Sequence, residues 1–292
     1  MRLPRPSFGD ASGCAKSEGR RNPSLGSAAP ALLFSLLLIL LVAATICGFS
    51  SRRFAAPAPI SADAVGVDHQ YALTLGVAGA AFVLAQLGLA AMIFFFRDRG
   101  ARAHFIAGNL WIEALWTAVT AVFFIGLGVL GGKAWGAARF TPAPPGAIQI
   151  EVTENQFVFN FRYPGPDGKF GRLDPSLVSA ATGNPLGIDP SDPAGNDDIV
   201  SPTLAVPVNR PVELLLRSQD VVHNFFVREL RLQQDAVPGM VIPLQFTADR
   251  TGQYEIVCTQ LCGLGHNRMH SVLNVLPEAA YETFLRKQGA NQ

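Results

Sequence analysis

Charge is scarce in this chain of 292 residues: 15% are Asp, Glu, Lys or Arg, against about 25% in an ordinary soluble protein. Together with 49% hydrophobic residues and a mean hydropathy of +0.26, that shortage argues against a purely soluble protein and for membrane segments. A one-sided charge is missing as well, since Lys and Arg number 23 and Asp and Glu 22. The balance hides an asymmetry. Up to Ala147 there are 12 basic against 6 acidic residues, and beyond it 11 against 16. An acidic second half argues against a nucleic-acid partner and permits a basic one. Cysteine is rare, with four in all and no C-x-x-C-H, so the chain carries no site for covalent haem attachment.

What the chain does have is three long apolar runs, at 30–49, 73–96 and 110–132, each long enough to cross a hydrocarbon core of about 30 Å as a helix. Between the second and third lies RDRGARAH, whose Arg97, Arg99 and Arg102 place that loop in the cytoplasm by the positive-inside rule. The two runs then form a transmembrane anchor over 73–132 with both outer ends on the exported side. The first run follows a polar segment, 1–29, that carries Arg2, Arg5, Lys16, Arg20 and Arg21. It reads as a signal peptide or as an extra transmembrane helix. Arg52 and Arg53 weigh against retention, and Ile46 stands before Cys47 where a lipoprotein signal needs a small residue. Either fate leaves everything after residue 135 outside.

From TPAPPG onward the pattern changes. IQIEVTENQFVFNFRY alternates apolar and polar residues as a half-buried strand does, and TLAVPVNRPVELLLRS, VVHNFFVREL, VIPLQFTA, GQYEIVC and SVLNVLP follow, parted by turn residues. The expectation is an exported Greek-key sandwich or barrel over 147–292, large enough to stand without a disulfide. Residues 165–198, rich in Pro, Gly and Asp, read as a surface insertion whose acids, including Asp189, Asp192, Asp197 and Asp198, either help to dock a partner or are merely solvated. AAYETFLRKQ reads as a helix docked through Ala280 and Phe284.

VCTQLCGLGHNRMHSV, residues 257–272, concentrates the chemistry: Cys258, Cys262, His266 and Met269 within twelve positions. A Cys258–Cys262 disulfide suits an oxidising compartment but explains neither His266 nor Met269. Zinc would use cysteine and histidine but not methionine, and the spacing is not that of a finger. Thiolate, imidazole and thioether together form the soft set that copper selects. One mononuclear site has no use for the second thiolate, whereas two bridging thiolates suit two coppers. His223, in RSQDVVHNFFV, is the candidate second imidazole.

These residues resemble subunit II of haem-copper cytochrome c oxidases. The pattern C-x3-C-G-x2-H-x2-M is met by Cys258, Cys262, Gly263, His266 and Met269. The upstream D-V-x-H-x-F is met by Asp220, Val221, His223 and Phe225, and D-A-x-P-G by Asp235, Pro238 and Gly239. The match spans roughly residues 70 to 287. It implies a cupredoxin-like sandwich behind a transmembrane hairpin, in a multi-pass protein of the cell inner membrane with a periplasmic or otherwise extracytoplasmic C-terminal domain. It further implies a dinuclear CuA centre of two copper ions. Cys258 and Cys262 would bridge them, His223 and His266 would cap them, Met269 would bind axially, and Gln260 would offer its backbone carbonyl. The implied partners are the catalytic subunit I with the other oxidase subunits, a cytochrome c or similar donor, and the bilayer.

Three departures from the family matter. Gln260 replaces a Glu associated with a Mg or Mn site, and an amide is the weaker ligand for a hard cation. The aromatic QWYW of the electron-entry patch is here Gln156, Phe157, Val158 and Phe159, and Arg162 replaces an acid, which points to a different donor docking on Phe157, Phe159 and Asp220 with help from the acidic insertion. Glu113, with Trp116 and Thr117, matches E-x2-W-T, but Thr120 stands for the following proline. By resemblance Glu113 opens a proton path into subunit I, and its alternative is a carboxylate that simply reaches the membrane interface. His69, His104, His270 and Cys14 are assigned no role. The function implied is electron entry into a terminal oxidase. The alternatives are the CuA subunit of a nitric oxide reductase-like enzyme, or a non-catalytic copper-binding or disulfide module. The complete ligand set argues against a quinol oxidase subunit.

Overall fold

The computed structural model describes residues 28–51, 55–97 and 108–290. Residues 1–27 of the polar segment, Cys14, Arg52, Arg53, Arg99, Arg102 and His104 lie outside them. The chain divides into two compact units, one formed by residues 1–54 with 78–113 and the other by 55–77 with 114–292.

Among the described residues, three helices are long and apolar enough to cross a membrane: α1 (Ala28–Ser50), α2 (Ala62–Phe95) and α3 (Leu110–Phe140). Their large side chains are exposed on all sides, among them Leu33, Leu84, Val119 and Ile125, as expected of helices that face lipid rather than water. α2 begins eleven residues before the expected run because Ser61 caps it, its hydroxyl accepting from the Ala64 N–H at 3.1 Å. α3 starts where the Asn109 side chain accepts from the N–H groups of Trp111 and Ile112. It runs on past residue 132 to Arg139, whose guanidinium bonds the Gln234 side chain and the Gln233 carbonyl.

The C-terminal domain is the expected sandwich. Its strands are β1 (Ile148–Asn155), β2 (Val158–Tyr163), β3 (Ile199–Ser201), β4 (Leu204–Pro207), β5 (Pro211–Ser218), β6 (His223–Val227), β7 (Leu232–Ala236), β8 (Ile242–Thr247), β9 (Gly252–Val257) and β10 (His270–Leu276). One sheet has the order β3-β2-β1-β5-β8 and the other β4-β10-β9-β6-β7. Pairing is antiparallel except for β1 with β5 and β4 with β10. Alternate residues of each strand fill the space between the sheets, including Ile150 and Val152, Phe159 and Phe161, Leu214 and Leu216, and Leu273 and Val275. Each such side chain contributes about 1.5–3 kcal/mol by leaving water. The final helix, α4 (Glu278–Gly289), docks through buried Tyr281 and through Phe284, whose ring meets Tyr163 edge-on at 6.0 Å. Ala280 is exposed, so the expected contact shifts by one residue.

The insertion is less solvated than expected. Asp198 is buried and bonds both the Arg162 guanidinium and the Gly171 N–H, each at 2.9 Å. Asp189 pairs with Arg172, and the Asp192 side chain caps a short helical turn. Arg162 is itself buried, held by Glu151 and Asp198 beneath the Phe170 ring. The arginine that replaces an acid is therefore an anchor for the insertion and does not alter a docking surface.

Candidate metal centre

The loop from β9 to β10 leaves the sheet at Val257 and is closed at its base by the Cys258 N–H bonding the Met269 carbonyl at 3.1 Å. Its compact form depends on two glycines. A Cβ on Gly265 would fall 2.3 Å from the Phe157 ring, and Gly263 has φ +143° with the Gln156 amide 2.8 Å from where a Cβ would stand. Gln156 donates to the Cys262 carbonyl, so the β1–β2 turn is latched onto the loop.

Within this frame the predicted ligands converge. The Cys258 and Cys262 sulfurs are 3.9 Å apart, both free and both buried. His266 Nδ1 lies 3.6 Å and Met269 Sδ 4.0 Å from the Cys262 sulfur, and the Gln260 carbonyl oxygen lies 3.2 Å from that of Cys258. His223, from the first position of β6 in the same sheet, brings a ring nitrogen into a cluster with the two sulfurs, all within 4.8 Å of one another. In this arrangement the two sulfurs are not joined as a disulfide. A metal–thiolate bond of about 2.3 Å, as for zinc, lets a single ion reach both. His270 points away and is exposed.

His223 is completely buried. Its Nε2 is 2.7 Å from Asp220 Oδ1, while its Nδ1 is enclosed with no hydrogen-bond partner. A carboxylate on Nε2 fixes the tautomer that presents a lone pair at Nδ1, as the outer partner of a metal-bound imidazole does. The orphaned nitrogen is the observation that best fits a metal. Partial burial raises the Asp220 pKa, but bonds from His223 and from the N–H groups of Gln156 and Val221 outweigh it and hold the carboxyl below its ordinary value. Burial first, then the neighbouring Cys258, pushes the Cys262 thiol up to about 11, so both thiol and imidazole await an ion to displace a proton or fill a lone pair. A second network supports the loop from the other side, with Thr259 donating to Asn224 and Asn224 to Asp235.

The remaining expectations fare differently. Phe157 is half-buried over Gly263 and Gly265, beside the loop. Phe159 is 2% exposed and packs against Phe161 and Phe225 in the core, so it offers no docking surface. The alternation of β2 turns Val158 outward instead, and it shares the exposed apolar character of Leu261 and Leu264 on the metal loop. Asp220 is only partly exposed, with both oxygens engaged. The Gln260 side chain is exposed. Glu113 lies exposed in the first turn of α3 and belongs to the other unit. Sequence reasoning missed Glu154, at the end of β1 on its inward face. It is fully buried and neither carboxylate oxygen has a hydrogen-bond partner. Burial, then the charge of Asp235, pushes its pKa well above the ordinary carboxylate range.

Residues 197–276 match the family described as cytochrome c oxidase subunit II, periplasmic domain. The chain is 33% identical over 233 residues to an alternative cytochrome c oxidase subunit 2 of Bradyrhizobium diazoefficiens, covering 79% of this chain and 83% of that one. It is 27% identical over 274 residues to cytochrome c oxidase subunit 2 of a Synechocystis species, covering 88% and 82%. Among solved structures, the periplasmic domain of subunit II of cytochrome oxidase from Bradyrhizobium japonicum is similar at 22% identity with a TM-score of 0.39, over 51% of this chain and 99% of that one.

Proposed function

Because the chain belongs to the cytochrome c oxidase subunit II family, we propose that its β-domain holds a dinuclear copper centre through which electrons from a periplasmic cytochrome c, or a similar small donor, pass to haem in the catalytic subunit for oxygen reduction. The observation that carries this reading is the convergence of two free thiols 3.9 Å apart, the Met269 thioether and the Gln260 carbonyl on one loop, with the orphaned Nδ1 of His223 facing it. Two coppers bridged by thiolates would share one electron and so supply a relay that changes geometry little on reduction.

The chain's own residues set the conditions for that relay. Cys258 and Cys262 would hold the copper through thiolate sulfur, His223 and His266 through ring nitrogen, Met269 through its thioether and Gln260 through its backbone carbonyl. Asp220 keeps His223 in one tautomer and one orientation. The latch from Gln156 and the Phe157 ring fix the loop against the sandwich, so the ligands are held by packing rather than by the metal alone. Phe157, Val158, Leu261 and Leu264 supply an apolar surface beside the site where a donor can approach, while of the acids of the insertion Asp198 is buried and Asp189 is paired with Arg172. Glu113 is proposed as the entrance of a proton path into the catalytic subunit. Replacing it with Gln and finding proton uptake and turnover unchanged removes that role.

Copper loading of the β-domain tests the central claim. Two coppers per chain with a mixed-valence EPR signal are expected. A stoichiometry of one, or loss of no copper when His223 is replaced, refutes it. Whether the acceptor is oxygen or nitric oxide is decided in the catalytic subunit, and identifying the subunit that co-purifies distinguishes the two.

A further inference from the structure

The first apolar run is consistent in sequence with a leader that is cut away or with a helix that stays. The structure bears on which. α1 has one sheltered stripe, formed by Ala31, Ser35 and Val42, while its other faces expose Leu, Ile and Phe. The stripe has a specific partner. The Ser35 hydroxyl donates to the carbonyl of Ala90 on α2 at 3.0 Å, and Ala90 is 5% exposed. Leu32, Leu36 and Ile39 flank this contact on α1, and Leu87, Ala91 and Phe94 on α2. Small side chains that let two backbones approach, with a hydroxyl bonding across, are how helices recognise one another in lipid, where the hydrophobic effect gives no preference. A leader needs an apolar stretch of only about 7–15 residues and no partner. α1 has 23 residues and a seat.

The connection after α1 is used as well. Ala56-Pro57-Ala58 has the small-x-small form that a leader peptidase reads, which would make Pro59 the first residue of a cut chain. The residues on both sides of that bond are built into the β-domain unit. The Pro57 carbonyl accepts from Arg231 at 2.7 Å, and Arg231 also pairs with Asp68. Ile60 is buried in the sandwich core, with its N–H on the Glu229 carbonyl and its carbonyl taking the Asp249 N–H.

We infer that α1 is retained in the mature subunit as a third membrane helix, seated on the C-terminal half of α2 through Ala31, Ser35 and Ala90. This does not depend on what the β-domain binds. Intact-mass and peptide mapping of the full subunit purified from membranes is expected to recover residues 28–50 in the mature chain. A mature N-terminus at Pro59, or anywhere beyond Ser50, overturns retention. The seat is tested by placing cysteines at positions 35 and 90 (Ser35→Cys, Ala90→Cys) in a chain also carrying Cys14→Ser and Cys47→Ser, then treating membranes with a short bis-methanethiosulfonate reagent. A reducible cross-link joining the peptides that carry positions 35 and 90 is expected, absent when either new cysteine is omitted. Recovery of α1 without any cross-link, in a subunit that still assembles, overturns the seat.

Discussion

Replacing Glu154 with Gln removes a charge without removing volume, and the structure says when that charge would matter. The carboxyl lies fully buried at the end of β1, both oxygens lack partners, and burial followed by Asp235 raises its pKa well above the ordinary range. In the unfolded chain it titrates near 4.3. Above that pH the unfolded state gives up the proton while the folded state keeps it, so the folded state binds more protons and stability falls as pH rises. The slope reaches about 1.4 kcal/mol per pH unit and persists until the folded pKa is passed. Between pH 4.5 and 6.5 the wild-type domain should therefore lose stability that Glu154→Gln does not, at no more than about 1.4 kcal/mol per pH unit, and its melting temperature should fall relative to that of the variant. Urea or thermal unfolding of the copper-free β-domain across that window measures it. Groups common to both proteins cancel in the comparison, and the Cys262 thiol, at about 11, titrates far above it. Parallel curves for the two proteins would show that Glu154 ionises in the fold as freely as in the unfolded chain, and the reasoning from its burial would be wrong.

Asp220→Asn removes the charge that orients His223, and copper affinity should fall about 10–100-fold in chelator competition; an unchanged affinity means the imidazole is held by packing alone. Because the Cys262 thiol is protonated at neutral pH, copper loading should release protons and strengthen with pH between 6 and 8, and a flat affinity over that range counts against it. Arg162→Met leaves buried Asp198 with the Gly171 N–H but no cation, while Glu151 keeps Arg217, and should cost about 3–5 kcal/mol in denaturant unfolding, whereas a loss under 1 kcal/mol would mean that water reaches the cluster. Donor oxidation should depend weakly on ionic strength and fall severalfold in Leu264→Asp, and a steep salt dependence would restore an electrostatic dock.

Much of this was legible in the sequence, because two signals are strong at short range. Runs of twenty apolar residues and period-2 alternation report their surroundings directly, and four ligand-type side chains at fixed spacing report one loop. What was not legible depends on register and on pairing across distance. Phe157 and Phe159 look equivalent as letters, but β2 starts only at Val158, so Phe159 joins Phe161 and Tyr163 in the core while Phe157 stays in the turn before the strand and is half-buried. Arg162, Glu151 and Asp198 are residue types usually found in water, and their burial follows from an insertion folding back over β1 and β2, which no local pattern encodes. Glu154 reads as an outward polar residue until the count along β1 puts it in line with Ile150 and Val152.

The latch between the β1–β2 turn and the metal loop has a consequence for how such a subunit could change its clientele. Phe157 belongs to the surface proposed for the donor and packs, through Gly263 and Gly265, on the loop proposed to carry the ligands. Gln156 beside it bonds Cys262's carbonyl and, through its own N–H, the carboxylate that steadies His223. Recognition and redox tuning thus share one mechanical part. A lineage that rewrites this turn to court a new donor also retunes its copper, so the two traits are expected to drift together rather than be selected apart.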